Sequence, residues 1–287
     1  MKKIFLLLAM VCCLQATAAV RGDVNGDNTV DVSDINIVIN KVLGKGGPGN
    51  TDVNGDGTTD VSDINIVINI VLGKDVPETH EYVDLGLPGG VLWATCNVGA
   101  EKPEDYGLNF AWGETTGYTK DEEHKFSWSN YKYCNGSAEK MTKYSTSTIY
   151  WDPELGTSPD GITVLEAMDD AATANWGDEW RMPSLQEVRD LTNTGYTTTE
   201  WVTVNGVSGR KITSRSNGNS IFIPAAGYRT GNEYYRDGTY GYCWARELYS
   251  GIADLPCNLS VYENSLSWNV SNRYEGLTVR PVRVNAK

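Results

Sequence analysis

A near-identical internal duplication close to the start of the chain constrains its fold more than any other feature. Residues 23–43 read DVNGDNTVDVSDINIVINKVL, and residues 52–72 read DVNGDGTTDVSDINIVINIVL. Only three aligned pairs differ, at residues 28/57, 30/59 and 41/70. Each copy opens with acidic and amide side chains at alternate positions and closes with an apolar segment. Repetition this close indicates that one supersecondary unit is used twice.

The alternating oxygen-bearing side chains predict a calcium loop in each copy. With Asp23 as position 1, oxygen ligands fall at positions 1, 3, 5, 7, 9 and 12, which is the spacing of an EF-hand-type loop. Hard oxygen ligands suit a hard cation, and no soft ligand interrupts them. Asn28 and Gly57 occupy position 6, where the backbone is left-handed. The predicted ligands of two calcium ions are Asp23, Asn25, Asp27, Thr29, Asp31 and Asp34 in the first loop, and Asp52, Asn54, Asp56, Thr58, Asp60 and Asp63 in the second.

An amphipathic helix is predicted to follow each loop, because apolar residues recur there at helical spacing. Gly44 and Gly73 are placed to end the two helices. Four carboxylates in each loop repel one another without metal, so calcium binding is expected to be coupled to folding of this region. In the first copy the apolar positions are Val32, Ile35, Val38, Ile39, Val42 and Leu43.

A loop followed by one helix, used twice with no helix before the first loop, resembles a type I dockerin over residues 22–74. The resemblance implies attachment to a cohesin-type partner or scaffold, with the two repeats offering two binding orientations. The recognition positions of that family correspond to Val32 and Ser33 in the first copy and to Val61 and Ser62 in the second. The serines keep a hydroxyl, whereas valine replaces the more usual polar residue.

Residues 1–19 are predicted to be a signal peptide that is removed from the mature protein. Lys2 and Lys3 precede an apolar stretch from Ile4 to Leu14, and small residues around Ala18 form a cleavage site. The prediction is a secreted or cell-surface protein. No later segment is apolar enough for a membrane helix. The formal net charge of −13 argues against binding to nucleic acid or to anionic lipid.

The mature chain keeps four cysteines, Cys96, Cys134, Cys243 and Cys257. Three pairings are possible and the sequence does not choose among them. An exported location permits disulfides, and free buried thiols are an equal alternative.

Composition changes after a linker at residues 75–80, because all nine tryptophans and all sixteen tyrosines follow it. Residues 81–287 are predicted to form one α+β domain of short strands and two helices. Asn205-Gly206 is a turn signal for a hairpin of residues 201–213. Ser184 and Glu187 form a capping box that opens a helix. A second short helix is predicted around residues 165–175, and strands at 221–223, 240–245, 259–262 and 277–284.

Several phrases in this domain resemble the Fibrobacter succinogenes major paralogous domain. They include LWATCNVG at residues 92–99, WRMPS at 180–184, IPAAGYR at 223–229 and VRPVR at 279–283. The likeness spans about residues 81–284 and implies a C-type-lectin-like fold. Members of that family are mostly exported bacterial proteins, and some relatives are targets of diversity-generating retroelements.

The sequence predicts no catalytic residue in this domain. His80 and His124 are the only histidines, so a catalytic triad or a histidine-bound metal centre is disfavoured. The motifs of calcium-dependent sugar binding by lectins are absent except for a partial match at residues 268–270. Glu187 is explained by capping, and the other carboxylates show no glycosidase spacing. For Cys243 and Cys257 a disulfide or two packed thiols is favoured over the late cysteine pair of formylglycine-generating relatives of this family.

A crowd of aromatic, amide and arginine side chains after Gly227 is the predicted ligand face. Tyr and Trp combine rigid apolar area with a hydrogen-bonding tip, and they also stack on sugars. Trp244 is assigned to the core instead. The predicted ligand-binding residues are Tyr234, Tyr235, Arg236, Tyr240, Tyr242, Arg246, Tyr249, Tyr262, Asn264, Asn272 and Tyr274.

The sequence therefore predicts a secreted bacterial binding protein with a calcium-stabilised attachment module and a ligand-binding domain. One alternative is a component of a polysaccharide-degrading complex with a glycoside hydrolase role, since dockerins usually carry such cargo. A second alternative is a structural surface subunit without a discrete ligand.

Overall fold

The computed structural model describes residues 20–53, 58–72, 80–249 and 255–284, and the chain divides into two compact units, Met1–Thr79 and His80–Lys287. The division falls within the predicted linker. The predicted signal peptide at residues 1–19, most of the linker, and the predicted ligands Asn54 and Asp56 lie outside the described residues.

In the first unit, two helices follow the two loops, α1 (Val32–Val42) and α2 (Val61–Val71). Asp31 caps α1, because its side chain accepts a hydrogen bond from the Ser33 N–H at 2.7 Å. The helix ends before Gly44, whose φ of 71° requires a left-handed backbone. The end at Gly44 confirms the predicted helix stop, whereas the cap at Asp31 was not predicted.

The apolar face of α1 is buried only in its middle. Val38 and its counterpart Val67 are completely buried and pack with Val24 in a small core. Val32 and Leu43, at the two ends of the predicted face, are 60% and 61% exposed. The predicted face is therefore too long, because the small core covers only the central turns of the helix.

The first and last strands of the second unit belong to one antiparallel sheet of four strands, with one strand between them. Its order is β1 (Tyr82–Asp84), β2 (Val91–Ala94), β12 (Val282–Val284) and β3 (Trp180–Arg181). The predicted strand at residues 277–284 is shorter than expected. Leu277 and Thr278 form isolated bridges with Phe110 and Cys243 instead of a ladder, and Pro281 lacks a donor.

Three further antiparallel sheets complete the unit. They are β4 (Thr197–Val204), β5 (Val207–Ser214) and β6 (Ser220–Pro224); β9 (Tyr240–Tyr249), β10 (Leu255–Tyr262) and β11 (Leu266–Val270); and β7 (Tyr228–Thr230) with β8 (Glu233–Tyr235). Asn205 and Gly206 link β4 and β5 with φ values of 47° and 88°, which confirms the predicted hairpin turn.

The second unit contains two short α-helices, α3 (Ala171–Trp176) and α4 (Leu185–Thr192), and 3-10 turns at Pro153–Leu155 and Ala167–Asp169. The predicted capping box of α4 is confirmed, with the Ser184 hydroxyl and the Glu187 carboxylate each accepting the other residue's N–H. The helix predicted at residues 165–175 begins later, because Asp170 accepts the N–H groups of Ala172 and Thr173 and caps a new start.

The core of the second unit is rich in aromatic side chains. Trp93, Trp112 and Trp244 are completely buried, which confirms the assignment of Trp244 to the core. The indole nitrogen of Trp244 donates to the Phe110 carbonyl at 2.7 Å. All four described cysteines are free thiols, and Cys243 and Cys257 are buried, as the packed-thiol alternative requires. The unit is a mixed helix and sheet structure in which strands predominate.

Candidate calcium loops, docking surface and ligand pocket

The first predicted calcium loop is folded around the carboxylate of Asp23. Its two oxygens accept the N–H groups of Gly26 at 2.7 Å, Asp27 at 3.1 Å and Asn28 at 2.8 Å. Asn28 has a φ of 68°, the left-handed conformation predicted at position 6. The turn of the loop therefore wraps around its first predicted ligand.

Asp34, the last predicted ligand of this loop, is completely buried and joins the loop to α1. One carboxylate oxygen accepts the N–H groups of Val24 at 2.8 Å and Asn25 at 3.0 Å, and the other accepts the Asp31 N–H at 3.0 Å. An acidic side chain at this position is thus fixed by three donors.

The second copy repeats this arrangement at Asp63, which is also completely buried. Its carboxylate accepts the N–H groups of Val53 at 2.7 Å and Asp60 at 2.9 Å. Asp52, Thr58, Asp60 and Asp63 are the described ligand candidates of this loop. Asp34 and Asp63 therefore have the same role, since each accepts backbone N–H groups from the start and the end of its loop.

The remaining polar side chains of the first loop bind one another. The Asn25 amide donates to Asp27 at 2.8 Å and to the Ser33 hydroxyl at 2.9 Å. The Thr29 hydroxyl donates to Asp27 at 2.6 Å. Hydrogen bonds from the Thr29 side chain and backbone, and then from Asn25, lower the pKa of Asp27. The loop thus favours the charged form of this carboxylate.

The donor chemistry of the loop fits calcium. The candidate ligands are carboxylate, amide and carbonyl oxygens, which hard cations prefer. Within the described residues no three acidic side chains are gathered as a metal cluster, because the carboxylates accept the N–H groups of the loop. Asp23, Asn25, Asp27, Thr29, Asp31 and Asp34 would hold an ion, which would supply positive charge and draw oxygen ligands together.

The predicted partner-binding residues lie at the first turns of the two helices. Val32 and Val61 are both 60% exposed, and Ser33 is exposed beside Val32. The side chain of Ser62 lies outside the described set. Each repeat therefore carries an exposed valine immediately after a predicted calcium loop.

Two loop–helix repeats with oxygen-bearing side chains in their loops define a duplicated candidate calcium-binding module. Residues 21–72 match the family model described as the dockerin type I domain. Dockerin domains bind calcium and attach proteins to a complex through a cohesin partner, and proteins that carry them are typically extracellular or on the cell surface. No curated protein and no solved structure matches the chain. None of the described helices has both the length and the apolar character needed to cross a membrane.

In the second unit, part of the predicted ligand face forms a connected group of tyrosines. Tyr240 on β9 and Tyr262 on β10 are paired directly across the sheet, with ring centroids 4.9 Å apart. Tyr242 contacts Tyr262 at 6.0 Å and Tyr228 at 5.6 Å. Tyr235, which is 42% exposed, stacks on Tyr228 at 5.6 Å. Four of the predicted residues in β8, β9 and β10 thus meet at one surface.

Other predicted ligand residues are placed elsewhere. Arg246 donates to the Leu165 carbonyl at 2.9 Å, and Tyr234 donates to the Ala226 carbonyl at 2.5 Å. Tyr249 packs on Trp268 and Tyr274 on Trp128, with centroids 5.3 and 4.9 Å apart. Asn264 is exposed in the turn after β10. The predicted residues therefore do not form one continuous face. Tyr234 and Tyr235 are consecutive in β8 and so point to opposite sides, and Arg246 is held by the Leu165 carbonyl.

Glu275 is a pocket residue that the sequence did not single out. It lies with tyrosines around a cavity of about 200 Å³, and it accepts the Asn272 amide at 3.0 Å. Burial raises the pKa of Glu275. No local sequence signal marks this residue, because Glu275 reaches the tyrosines only through the long-range pairing of Arg229 with Gly276.

Proposed function

We propose that this chain is a secreted or cell-surface bacterial binding protein that attaches to a cohesin-type partner and presents a ligand-binding domain. The observation that carries the proposal is the pair of equally exposed valines, Val32 and Val61, directly after two calcium loops in a module that matches the dockerin family. The predicted signal peptide, residues 1–19, supports export.

Calcium has a structural role in this proposal. Each loop binds one ion, so the module binds two. The ion neutralises carboxylates that otherwise repel one another and fixes the first turn of the following helix. Because Val32 and Ser33 belong to that turn, ion binding orders the docking surface as well as the loop.

The docking surface suits a partner that buries a small apolar group beside a hydroxyl. Burial of an exposed valine contributes about 1.5 kcal/mol, and Ser33 supplies hydrogen bonding next to it. The second copy presents Val61 in the same setting. We expect a cohesin-type partner to bind either copy, with the module rotated between the two modes.

The second unit is proposed to have a C-type-lectin-like fold and to bind a protein or glycan ligand. Support comes from the tyrosine group around Tyr242 and from the exposed Tyr235 and Arg236 beside it. Such side chains supply rigid contact area at low entropic cost.

Titration of the full chain against a panel of cohesin domains, with calcium and with chelator, tests attachment. Val32→Asp and Val61→Asp alone are expected to weaken binding by about twofold, because the other copy still binds. The affinity of the double variant for cohesin domains is expected to fall by at least about 100-fold, because each substitution places a charge at a buried contact. Val164→Asp is the matched control, since Val164 is also exposed but lies in the second unit. Unchanged binding of the double variant would contradict the docking surface.

Arrays of glycans and extracellular proteins, probed with the full chain and with a Tyr235→Ala, Arg236→Ala double variant, test ligand binding. We expect a specific signal that the double variant loses. An array with no specific signal would contradict the ligand-binding role.

A further inference from the structure

Three tyrosines of the second unit, Tyr228, Tyr242 and Tyr262, line an open surface cavity of about 200 Å³. It lies beside β9, β10 and β11, and residues of the segment that follows β11 also line it. A space of this size accommodates a small head group rather than an extended chain. Its polar and aromatic lining consists of Tyr228, Tyr242, Tyr262, Asn269, Ser271 and Glu275.

The tyrosine rings form walls at right angles rather than a flat platform. Tyr242 meets Tyr228 at an interplanar angle of 87° and Tyr262 at 83°. A sugar face stacks on one exposed ring plane, whereas a compact cation gains from several rings that surround it. The geometry favours the second kind of ligand.

A carboxylate completes the lining. Two backbone hydrogen bonds between Arg229 and Gly276, at 2.8 and 2.9 Å, hold Tyr228 and Glu275 in neighbouring positions. The Asn272 amide fixes Glu275 at 3.0 Å. Among the ion pairs of the described residues, none involves Glu275.

A half-buried acid without a cationic partner gains from a cation that enters the cavity. Burial raises the pKa of Glu275, which shows that its charge is costly in this setting. A positive ligand would offset that cost, and a neutral ligand would not.

An exposed arginine already contacts one ring of the tyrosine group. The Arg236 guanidinium lies 5.1 Å from the ring centroid of Tyr240. Tyr240 contacts Tyr242 and Tyr262 but is not part of the cavity lining. Arg236 is therefore engaged on a neighbouring ring.

We infer that the cavity formed by Tyr228, Tyr242, Tyr262 and Glu275 binds an organic ammonium group. This inference rests on the proposed ligand-binding function of the second unit and names its ligand class. The group is held by the faces of the tyrosines and by the charge of Glu275. Its source is either a quaternary ammonium, as in a choline head group, or a protonated amine, as in an amino sugar.

Two matched ligand pairs test the charge requirement on the full chain with calcium present. The first pair is choline and its uncharged isostere, in which a tert-butyl group replaces the trimethylammonium. The second pair is glucosamine and N-acetylglucosamine. Ligand-observed NMR titration is expected to show binding of at least one charged member, at least about tenfold tighter than its neutral partner. The preferred pair identifies the source of the ammonium group.

Variants then assign the binding to this cavity. Glu275→Gln is expected to lower the affinity for the charged ligand by at least about tenfold. Tyr242→Leu is expected to lower it by a similar factor. Glu263→Gln is the matched control, because Glu263 is exposed in the turn after β10. Thermal melts establish that each variant is folded, and the comparison of ligand pairs on the unaltered protein does not depend on any variant.

Equal binding of charged and neutral members, or no binding of all four probes, would overturn the inference. An array ligand that depends on Tyr235 and Arg236 but not on Glu275 would also overturn it, and would leave the proposed function intact. A chain that binds neither the probes nor any array ligand would contradict both.

Discussion

The two units of the chain differ in what holds them together. Among its described residues the first unit buries only three apolar side chains, Val24, Val38 and Val67, and relies on hydrogen bonds to acidic loop residues. The second unit packs tryptophans, tyrosines and leucines into two large clusters. A small domain with so little core needs another source of stability, such as a metal.

From this contrast we expect order in the first unit to depend on bound calcium and order in the second unit to depend on packing. The duplication strengthens the argument, because Asp34 and Asp63 are completely buried at equivalent positions, as are Val38 and Val67. The first unit is expected to respond to calcium and the second to core substitutions, with little response to the other's perturbation.

The largest expected effect is the loss of one calcium site. Asp34→Ala or Asp63→Ala removes a predicted ligand and the acceptor of backbone N–H groups on both sides of its loop. Calcium affinity of the altered loop is expected to fall by at least about 100-fold, measured by isothermal titration of the full chain. Asp121→Ala, at an exposed position of the second unit, is the control. If either loop variant still bound two calcium ions with unaltered affinity, the proposed contrast between the two units would be contradicted.

A buried carboxylate in the second unit gives the next largest effect. Asp169 is buried. Its carboxylate accepts hydrogen bonds from the Tyr133 hydroxyl, the Tyr144 hydroxyl at 2.6 Å and the Lys143 ammonium at 2.6 Å. Asp169→Asn removes the charge that faces Lys143 and is expected to destabilise this unit by about 3 kcal/mol in chemical denaturation.

Calcium uptake by the Asp169→Asn variant should match that of the unaltered protein, because the residue lies in the other unit. A loss below about 1 kcal/mol would show that this network contributes little, as is common for exposed pairs. A change in calcium affinity would show that the two units are coupled.

The pH dependence of the second unit follows from the same residue. Burial raises the pKa of Asp169, but hydrogen bonds from Lys143, Tyr133 and Tyr144 outweigh it and hold the pKa at about 2. Because the folded pKa lies below the unfolded value of 3.8, the stabilisation is present above pH 3.8 and is lost as the pH falls through about 2.

The expected contribution of Asp169 to this acid-induced loss is on the order of 2 kcal/mol. Denaturation curves at several pH values between 4 and 2 would measure it, with the Asp169→Asn variant as reference. The variant should show a flatter dependence on pH in this range, and identical slopes would refute the assignment.

The smallest expected effect is at the start of α4. Ser184→Ala removes the hydroxyl that accepts the Glu187 N–H at 3.2 Å, and it should cost about 1 kcal/mol in the stability of the second unit. Ser265→Ala, in an exposed turn, is the control and should change stability by less than about 0.5 kcal/mol. Equal effects of the two substitutions would argue against the cap.

Features that depend on neighbouring residues were predicted well from the sequence. The left-handed Asn28, the turn at Asn205-Gly206 and the cap at Ser184 all follow from residues a few positions apart. The duplication also predicted two equivalent helices, and one helix follows each loop. Such features are determined by residues that are close together in the sequence.

Features that depend on distant pairing were not predicted. The segment from residue 100 to 166 is held mainly by isolated bridges and side-chain bonds, so it shows no strand periodicity. Glu275 joins the tyrosine pocket only because Gly276 pairs with Arg229, and Arg246 leaves the predicted face to bind the Leu165 carbonyl. No short stretch of the sequence indicates these contacts, because each joins residues that are far apart in the chain.

Differential scanning calorimetry of the full chain, with saturating calcium and with excess chelator, tests the difference between the two units most directly. At a calcium concentration 1,000 times the dissociation constant, each bound ion adds about 4 kcal/mol to the stability of a unit that binds it only when folded. We expect two transitions with calcium, of which chelator abolishes the one from the first unit and leaves the other unshifted. A single transition that moves as a whole, or two that ignore the chelator, would contradict the account.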